Sequence, residues 1–179
     1  LTIIETDIPG PLILEPQVYG DDRGFFLESW NAERFRALGL DFTFVQDNHS
    51  RSAKGVLRGL HFQNPNPQGK LVRVTAGRVW DVAVDMRQSS KYFGKWTGVE
   101  LSAENKRMFW VPQGFAHGFI TLEDRTDFLY KCTAFYDASA ERTLRWNDPS
   151  VAIDWPTTDV ILSTKDATGK LLCEITPFA

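Results

Sequence analysis

The 179 residues are 42% hydrophobic and 24% charged, the balance of one folded domain with a sizeable core and not of a disordered tail or a fibre. Lys and Arg number 20 against 23 Asp and Glu, so the net charge of −3 offers no general field for nucleic acid, and any bound anion needs a local cluster of cations. No apolar run approaches the roughly 20 residues of a membrane span, no secretory signal is visible, and Cys132 and Cys173 are too few and too far apart for a disulfide framework, so a cytoplasmic address is the expectation.

The aromatic content of 13%, with 13 Gly and 9 Pro, favours short strands joined by turns. In chain order, the first periodic segment is a helix over residues 32–38, capped by Asn31 and ended by Gly39, with Ala32, Phe35 and Leu38 on one face. A strand follows over 55–63. Its parity sets Arg58 and His61 on opposite faces, so a bend or bulge at Gly59 is required if both serve one cavity. Strands are next expected over 70–76 and 79–87; in the latter, Trp80, Val82, Val84 and Met86 alternate with Asp81 and Asp85, the pattern of a half-buried strand. Further runs cover 96–101, 106–111, 117–122 and 127–135, and the chain then becomes loop-rich at Asp148-Pro149 and Trp155-Pro156, with a last helical turn starting at Ser163. Seven strands at short spacing without internal repeat or linker predict one all-β domain over 1–179, a sandwich or barrel.

Three histidines, His49, His61 and His117, carry most of the candidate chemistry. They form no HxH, HxxH or HExxH pattern, so no metal site is expected. His61 fits either a satisfied half-buried imidazole or a general base acting beside a carbonyl, given a carboxylate partner. His117 and Tyr130 fit core positions as well as catalytic ones, and Cys132 reads as a small buried hydrophobe. Arg23, Arg58, Lys70 and Lys165 recur where strands begin or end; as isolated surface cations they mean little, and as a converging set they would hold a phosphate. Asn48-His49-Ser50 matches a glycosylation sequon but reads as structural or ligand-contacting.

Taken together, Asp22-Arg23-Gly24-Phe25-Phe26-Leu27-Glu28, residues 44–50, 55–63 and 68–73, Val111-Pro112-Gln113-Gly114-Phe115-Ala116-His117-Gly118-Phe119, residues 128–131 and Leu162-Ser163-Thr164-Lys165-Asp166 resemble the dTDP-4-dehydrorhamnose 3,5-epimerase family, in order over nearly the whole chain. The resemblance implies a cupin-type jelly roll with a few short peripheral helices, working without cofactor or metal as a homodimer whose N-terminal segment is exchanged. It implies a dTDP-4-keto-6-deoxyhexose substrate inverted at C3 and C5. His61 would be the base, Asp166 its orienting carboxylate, Tyr130 the acid on the opposite face, and Lys70 the group that stabilises the enolate oxygen. Arg23, Arg58 and Lys165 would hold diphosphate and sugar oxygens, Gln46, Asp47, Asn48 and Glu28 the nucleotide, and Phe26 would stack on the base. His117 and Glu141 would also touch substrate, and Arg23, Phe26 and Glu28 would act in the partner's site. The competing readings are a relative that inverts only one carbon, a metal-dependent cupin enzyme, and a non-catalytic nucleotide-sugar binding module.

Overall fold

Two antiparallel sheets face each other, and the computed structural model describes all residues from 1 to 179. In chain order the elements are β1 (Thr2–Glu5), β2 (Leu12–Glu15), β3 (Val18–Asp21), β4 (Gly24–Leu27), α1 (Ala32–Ala37), β5 (Gln46–Ser52), β6 (Leu57–Gln63), β7 (Lys70–Ala76), β8 (Arg78–Asp85), β9 (Trp96–Ser102), β10 (Met108–Val111), β11 (Phe115–Thr121), β12 (Thr126–Cys132), β13 (Glu141–Thr143) and α2 (Thr164–Ala167). One sheet runs β1-β2-β10-β7-β12-β5, the other β13-β6-β11-β8-β9, and β3-β4 is a separate hairpin. The architecture is the expected all-β jelly roll with two short peripheral helices.

Strand alternation builds three apolar layers. Between the sheets lie Val72, Val74, Val79, Ala83, Phe109, Phe119 and Phe128, all at most 4% exposed, with the Phe119 and Phe128 rings stacked 3.9 Å apart. The outer face of the five-stranded sheet is covered by the C-terminal third, through Leu144, Val151, Trp155 and Ile175 against Leu57, Leu60, Val82, Val84 and Met86. The outer face of the other sheet meets Phe35, Leu40 and the aromatic run Trp30, Phe42 and Phe44. The expectation that β8 is half-buried is therefore corrected: Val82 and Val84 lie under the C-terminal third, while Asp81 and Ala83 face the interior, and all four are buried. A loop-rich tail can hide a strand face as well as a second sheet does.

The helix forms where capping predicts it. The Asn31 side chain accepts hydrogen bonds from the Glu33 and Arg34 amides, and Gly39 takes φ +81° just past the end. Only Phe35 of the expected face is buried; Leu38 stays 45% exposed and Ala32 is exposed, because one turn and a half of helix reaches the sheet with a single side chain. The N-terminal strands and β5 carry no pattern that marks them in the sequence. β5 is polar throughout (QDNHSRS) and exists through its backbone pairing with β12, where Arg51 lies opposite Asp127. That pair is bidentate, at 2.7 Å for both bonds, and His49 adds a third contact at 3.2 Å. The Arg51 guanidinium in the first place holds the Asp127 carboxyl down to about 2.

The register of β6 against β11 shifts between His117 and Phe119, opposite Gly59, which has φ +132°. Consequently Leu57, Leu60 and Phe62 all pack in the outer layer, and one residue too many separates Leu57 from Leu60 for simple alternation. Gly118 makes this possible from the other strand: a Cβ there would sit 2.7 Å from the Arg58 carbonyl oxygen and 3.0 Å from the Gly59 Cα. Gly118→Ala is expected to destabilise the domain by about 1–3 kcal/mol, as overpacking against backbone does, measured as a lowered urea midpoint.

Candidate active site

A cavity of about 620 Å³ opens between the sheets at one end of the sandwich. Its two walls are supplied by different sheets. From the five-stranded sheet come Arg58 and His61 of β6, His117 of β11 and Glu141 of β13; from the six-stranded sheet come Gln46 and Asn48 of β5, Lys70 of β7 and Tyr130 of β12. Lys165 and Asp166 arrive on α2. The extra residue at Gly59 turns both Arg58 and His61 inward, as the parity argument required.

His61 Nε2 donates to Asp166 Oδ1 at 2.6 Å, although the two residues are 105 positions apart. Backbone bonds between the Gly55 and Leu57 main chain and Ile161 anchor the returning chain beside the start of β6. Ser163 then caps α2, and its hydroxyl donates to Asp166 Oδ2 at 2.8 Å. The carboxylate is thus held at both oxygens, with only 3% of Asp166 exposed. Since a carboxylate accepts, Nε2 carries the proton of the neutral ring and Nδ1 is the basic nitrogen. Burial pushes the His61 pKa down, Asp166 opposes that shift, and Lys165 and Lys70 reinforce it. The imidazole is therefore neutral, and able to accept a proton, at neutral pH.

His117 Nε2 donates to the fully buried Asp81 at 2.8 Å, below the cavity floor. The Tyr130 hydroxyl has no hydrogen-bond partner within the protein, and burial raises its pKa. Lys70 Nζ is likewise unpaired, with its pKa lowered chiefly by burial. Arg58 bonds only Ser52 Oγ, at 3.1 Å, and has no carboxylate partner. Lys165 Nζ meets Glu141 Oε1 at 2.9 Å, whose other oxygen takes the Tyr136 hydroxyl at 3.1 Å. Positive charge thus exceeds negative locally, in a protein whose net charge is negative. No three His, Cys, Asp or Glu side chains converge in a way that holds a metal ion.

Ten of the fourteen residues to which the family resemblance gives a role line this one cavity: Gln46, Asn48, Arg58, His61, Lys70, His117, Tyr130, Glu141, Lys165 and Asp166. Four do not. Asp47 alternates with Gln46 and Asn48, so it points from the other face of β5 and pairs with Lys131. Arg23 and Phe26 sit on the exposed β3-β4 hairpin, with Arg23 bound to Asp21, and Glu28 binds Arg34. Ser163, Asp81 and Tyr136 were not singled out. Ser163 followed at the third residue by Asp166 is a capping pattern, and Asp81 is a carboxylate inside an apolar strand; Tyr136, in a turn, has no comparable mark.

A neutral imidazole braced by a carboxylate, a tyrosine on the facing wall, and the unpaired cations Arg58 and Lys70 in the same cavity define an acid–base enzyme for an anionic substrate on a jelly-roll scaffold. The chain belongs to the dTDP-4-dehydrorhamnose 3,5-epimerase family, whose model matches residues 5–174. It is 57% identical over 175 residues to the enzyme of that name from Salmonella typhimurium, covering 96% of each chain. A solved dTDP-6-deoxy-D-glucose-3,5-epimerase from Legionella pneumophila, in complex with dTDP-4-keto-L-rhamnose, superposes with a TM-score of 0.95 at 54% identity, over 99% of this chain and 98% of that one. A 3'-monoepimerase from Streptomyces bikiniensis, in complex with dTDP-quinovose, shares the fold with a TM-score of 0.88 at 33% identity, over 93% of this chain and 86% of that one.

Removing the Asp166 charge removes the influence that props up the His61 pKa. In Asp166→Asn, His61 is expected to titrate at lower pH than in the parent protein, followed through its ring resonances by NMR.

Proposed function

We propose that the chain inverts C3 and C5 of dTDP-4-dehydro-6-deoxy-D-glucose to give dTDP-4-dehydro-L-rhamnose, by proton abstraction next to the C4 ketone and without a cofactor. The observation that carries this reading is the opposition of His61 and Tyr130 across the cavity, one on each sheet. Inversion requires a proton to leave one face of the ring and another to arrive on the opposite face. In a D-gluco chair the hydrogens at C3 and C5 are both axial on the same face, and both are acidified by the same carbonyl. One base and one opposed acid therefore suffice for two inversions.

His61 removes the proton, and Asp166 stabilises the imidazolium that forms. Lys70 donates to the C4 oxygen, where negative charge develops; its lack of any internal partner leaves the ammonium free for that purpose. Tyr130 delivers the proton to the other face, its raised pKa keeping the phenol protonated at neutral pH. Arg58 and Lys165 hold the diphosphate and sugar oxygens, Gln46 and Asn48 the nucleotide, and His117 and Glu141 contact the sugar nucleotide. The protein works in the cytoplasm on this basis, as a single domain with no metal.

Arg23, Phe26 and Glu28 enter the reading through a homodimer. The β3-β4 hairpin leaves Tyr19, Phe25 and Phe26 at least 62% exposed, a set of aromatic side chains that calls for cover. In a dimer with an exchanged N-terminal segment these residues would complete the partner's cavity, with Arg23 on phosphate, Phe26 stacked on the base and Glu28 on the nucleotide, while Asp47 would contribute from the rim.

Proton NMR in deuterated water with the 4-keto substrate tests the reaction: exchange at both C3 and C5 is expected, and exchange at a single carbon would select a monofunctional epimerase instead. His61→Asn should lower exchange at both carbons by about 10²–10⁴-fold. Tyr130→Phe should impair completed inversion more than exchange. The acid limb of kcat/KM should fall below the ordinary imidazole value of about 6.5, because the base must be neutral and burial depresses its pKa.

A further inference from the structure

Lys70 differs from the other lysines of the chain in where its amine stands. Lys131 and Lys165 are neutralised by Asp47 and Glu141, Lys106 donates to the Glu104 carbonyl, and Lys54, Lys91, Lys95 and Lys170 are exposed. Lys70 alone faces the interior cavity with no hydrogen bond or ion pair to Nζ. It emerges from β7 directly opposite Cys132, whose side chain is buried, and is itself half-buried in the cavity wall. An amine attacks a carbonyl carbon only through its free lone pair, and burial together with the Lys165 charge enlarges the unprotonated fraction.

Arg58 shares the cavity and has no carboxylate partner, and Lys165 is held only by a Glu141 that also serves Tyr136. A ligand that brings a phosphate supplies the missing negative charge. The cavity volume of about 620 Å³ lies within the usual range for small-molecule sites. From this juxtaposition of an unpaired interior amine and phosphate-ready cations, we infer that Lys70 is a site of reversible covalent capture by phosphorylated aldehydes, which block the cavity. The phosphate part of this inference rests on the anion-binding roles proposed above.

The step is balanced. The Nζ lone pair adds to the aldehyde carbon, a C–N bond forms, and the resulting carbinolamine loses its oxygen as water to leave an imine. Hydrolysis reverses it; borohydride fixes it by delivering hydride to the imine carbon. A 4-keto sugar is a weaker electrophile than an aldehyde, and its inversion uses the ammonium form of Lys70, so capture and turnover draw on different protonation states of one group.

The test is incubation of the whole protein with pyridoxal 5'-phosphate, reduction with borohydride and peptide mapping by mass spectrometry, beside the same treatment with pyridoxal, which lacks the phosphate. One label per chain on Lys70 is expected, lost in Lys70→Arg and prevented by dTDP, with pyridoxal labelling about tenfold less at equal concentration. Mapping and dTDP protection are read on the parent chain, so the result stands whether or not the variant folds. Label spread over Lys54, Lys91 and Lys95 with Lys70 unmodified overturns the inference, as does equal labelling by pyridoxal. Hydrogen exchange at C3 and C5 is measured on an untreated aliquot of the same preparation: exchange there with Lys70 unlabelled in the treated aliquot sinks the capture alone, whereas labelled Lys70 with no exchange in the untreated aliquot sinks the epimerase reading alone.

Discussion

The hydrogen bond from His61 to Asp166 ties α2 to β6, and much of the architecture serves that contact. For Asp166 to reach His61, the C-terminal third must cross the outer face of the five-stranded sheet and pair with the entry to β6 through Ile161. Its passage buries Val151, Trp155 and Ile175 against that face, which supplies the hydrophobic drive for placing one polar pair. For His61 to face inward together with Arg58, β6 must gain a residue at Gly59, which in turn requires the absence of a side chain at Gly118. A two-residue contact thus dictates a bulge, a glycine pair and the path of the coil between β13 and α2.

Electrostatics give the cavity its second constraint. Burying charge is unfavourable unless it is paired, and most ionic groups of the chain obey that rule, from Arg87 with Asp85 to Arg51 with Asp127. Lys70, half-buried and unpaired, departs from it, and Arg58 stands exposed at the cavity with no carboxylate partner. In the proposed reaction a diphosphate and a developing enolate would supply the missing negative charge when substrate is present. The depressed pKa of His61 comes first from burial, and the neighbouring cations Lys165 and Lys70 add to it by disfavouring an imidazolium. A base and an anion site placed together therefore tune each other.

Much of this was legible in the sequence, for identifiable reasons. The strands β7, β8, β9 and β11 show alternation because each carries an apolar face to a core, and the Asn31 and Ser163 caps announce their helices by side-chain chemistry alone. β1 to β5 are short or polar, and β5 is a strand only because β12 lies beside it. The misjudged exposure of β8 has a similar cause: alternation records which residues share a face, and cannot record what covers the other one.

By itself the sequence determined the all-β class, the residue types able to move a proton or hold a phosphate, the need for a break at Gly59, and the family. The tertiary structure alone decided that ten of those residues share one cavity while Arg23, Phe26, Glu28 and Asp47 do not, that Asp166 and not another carboxylate braces His61, and that Asp81 lies beneath His117. The physical reason is range. Propensity, capping and parity act over a few neighbouring residues, whereas a cavity is a meeting of side chains that stand far apart in the chain, His61 and Asp166 by 105 positions, brought together only when the sheets pack.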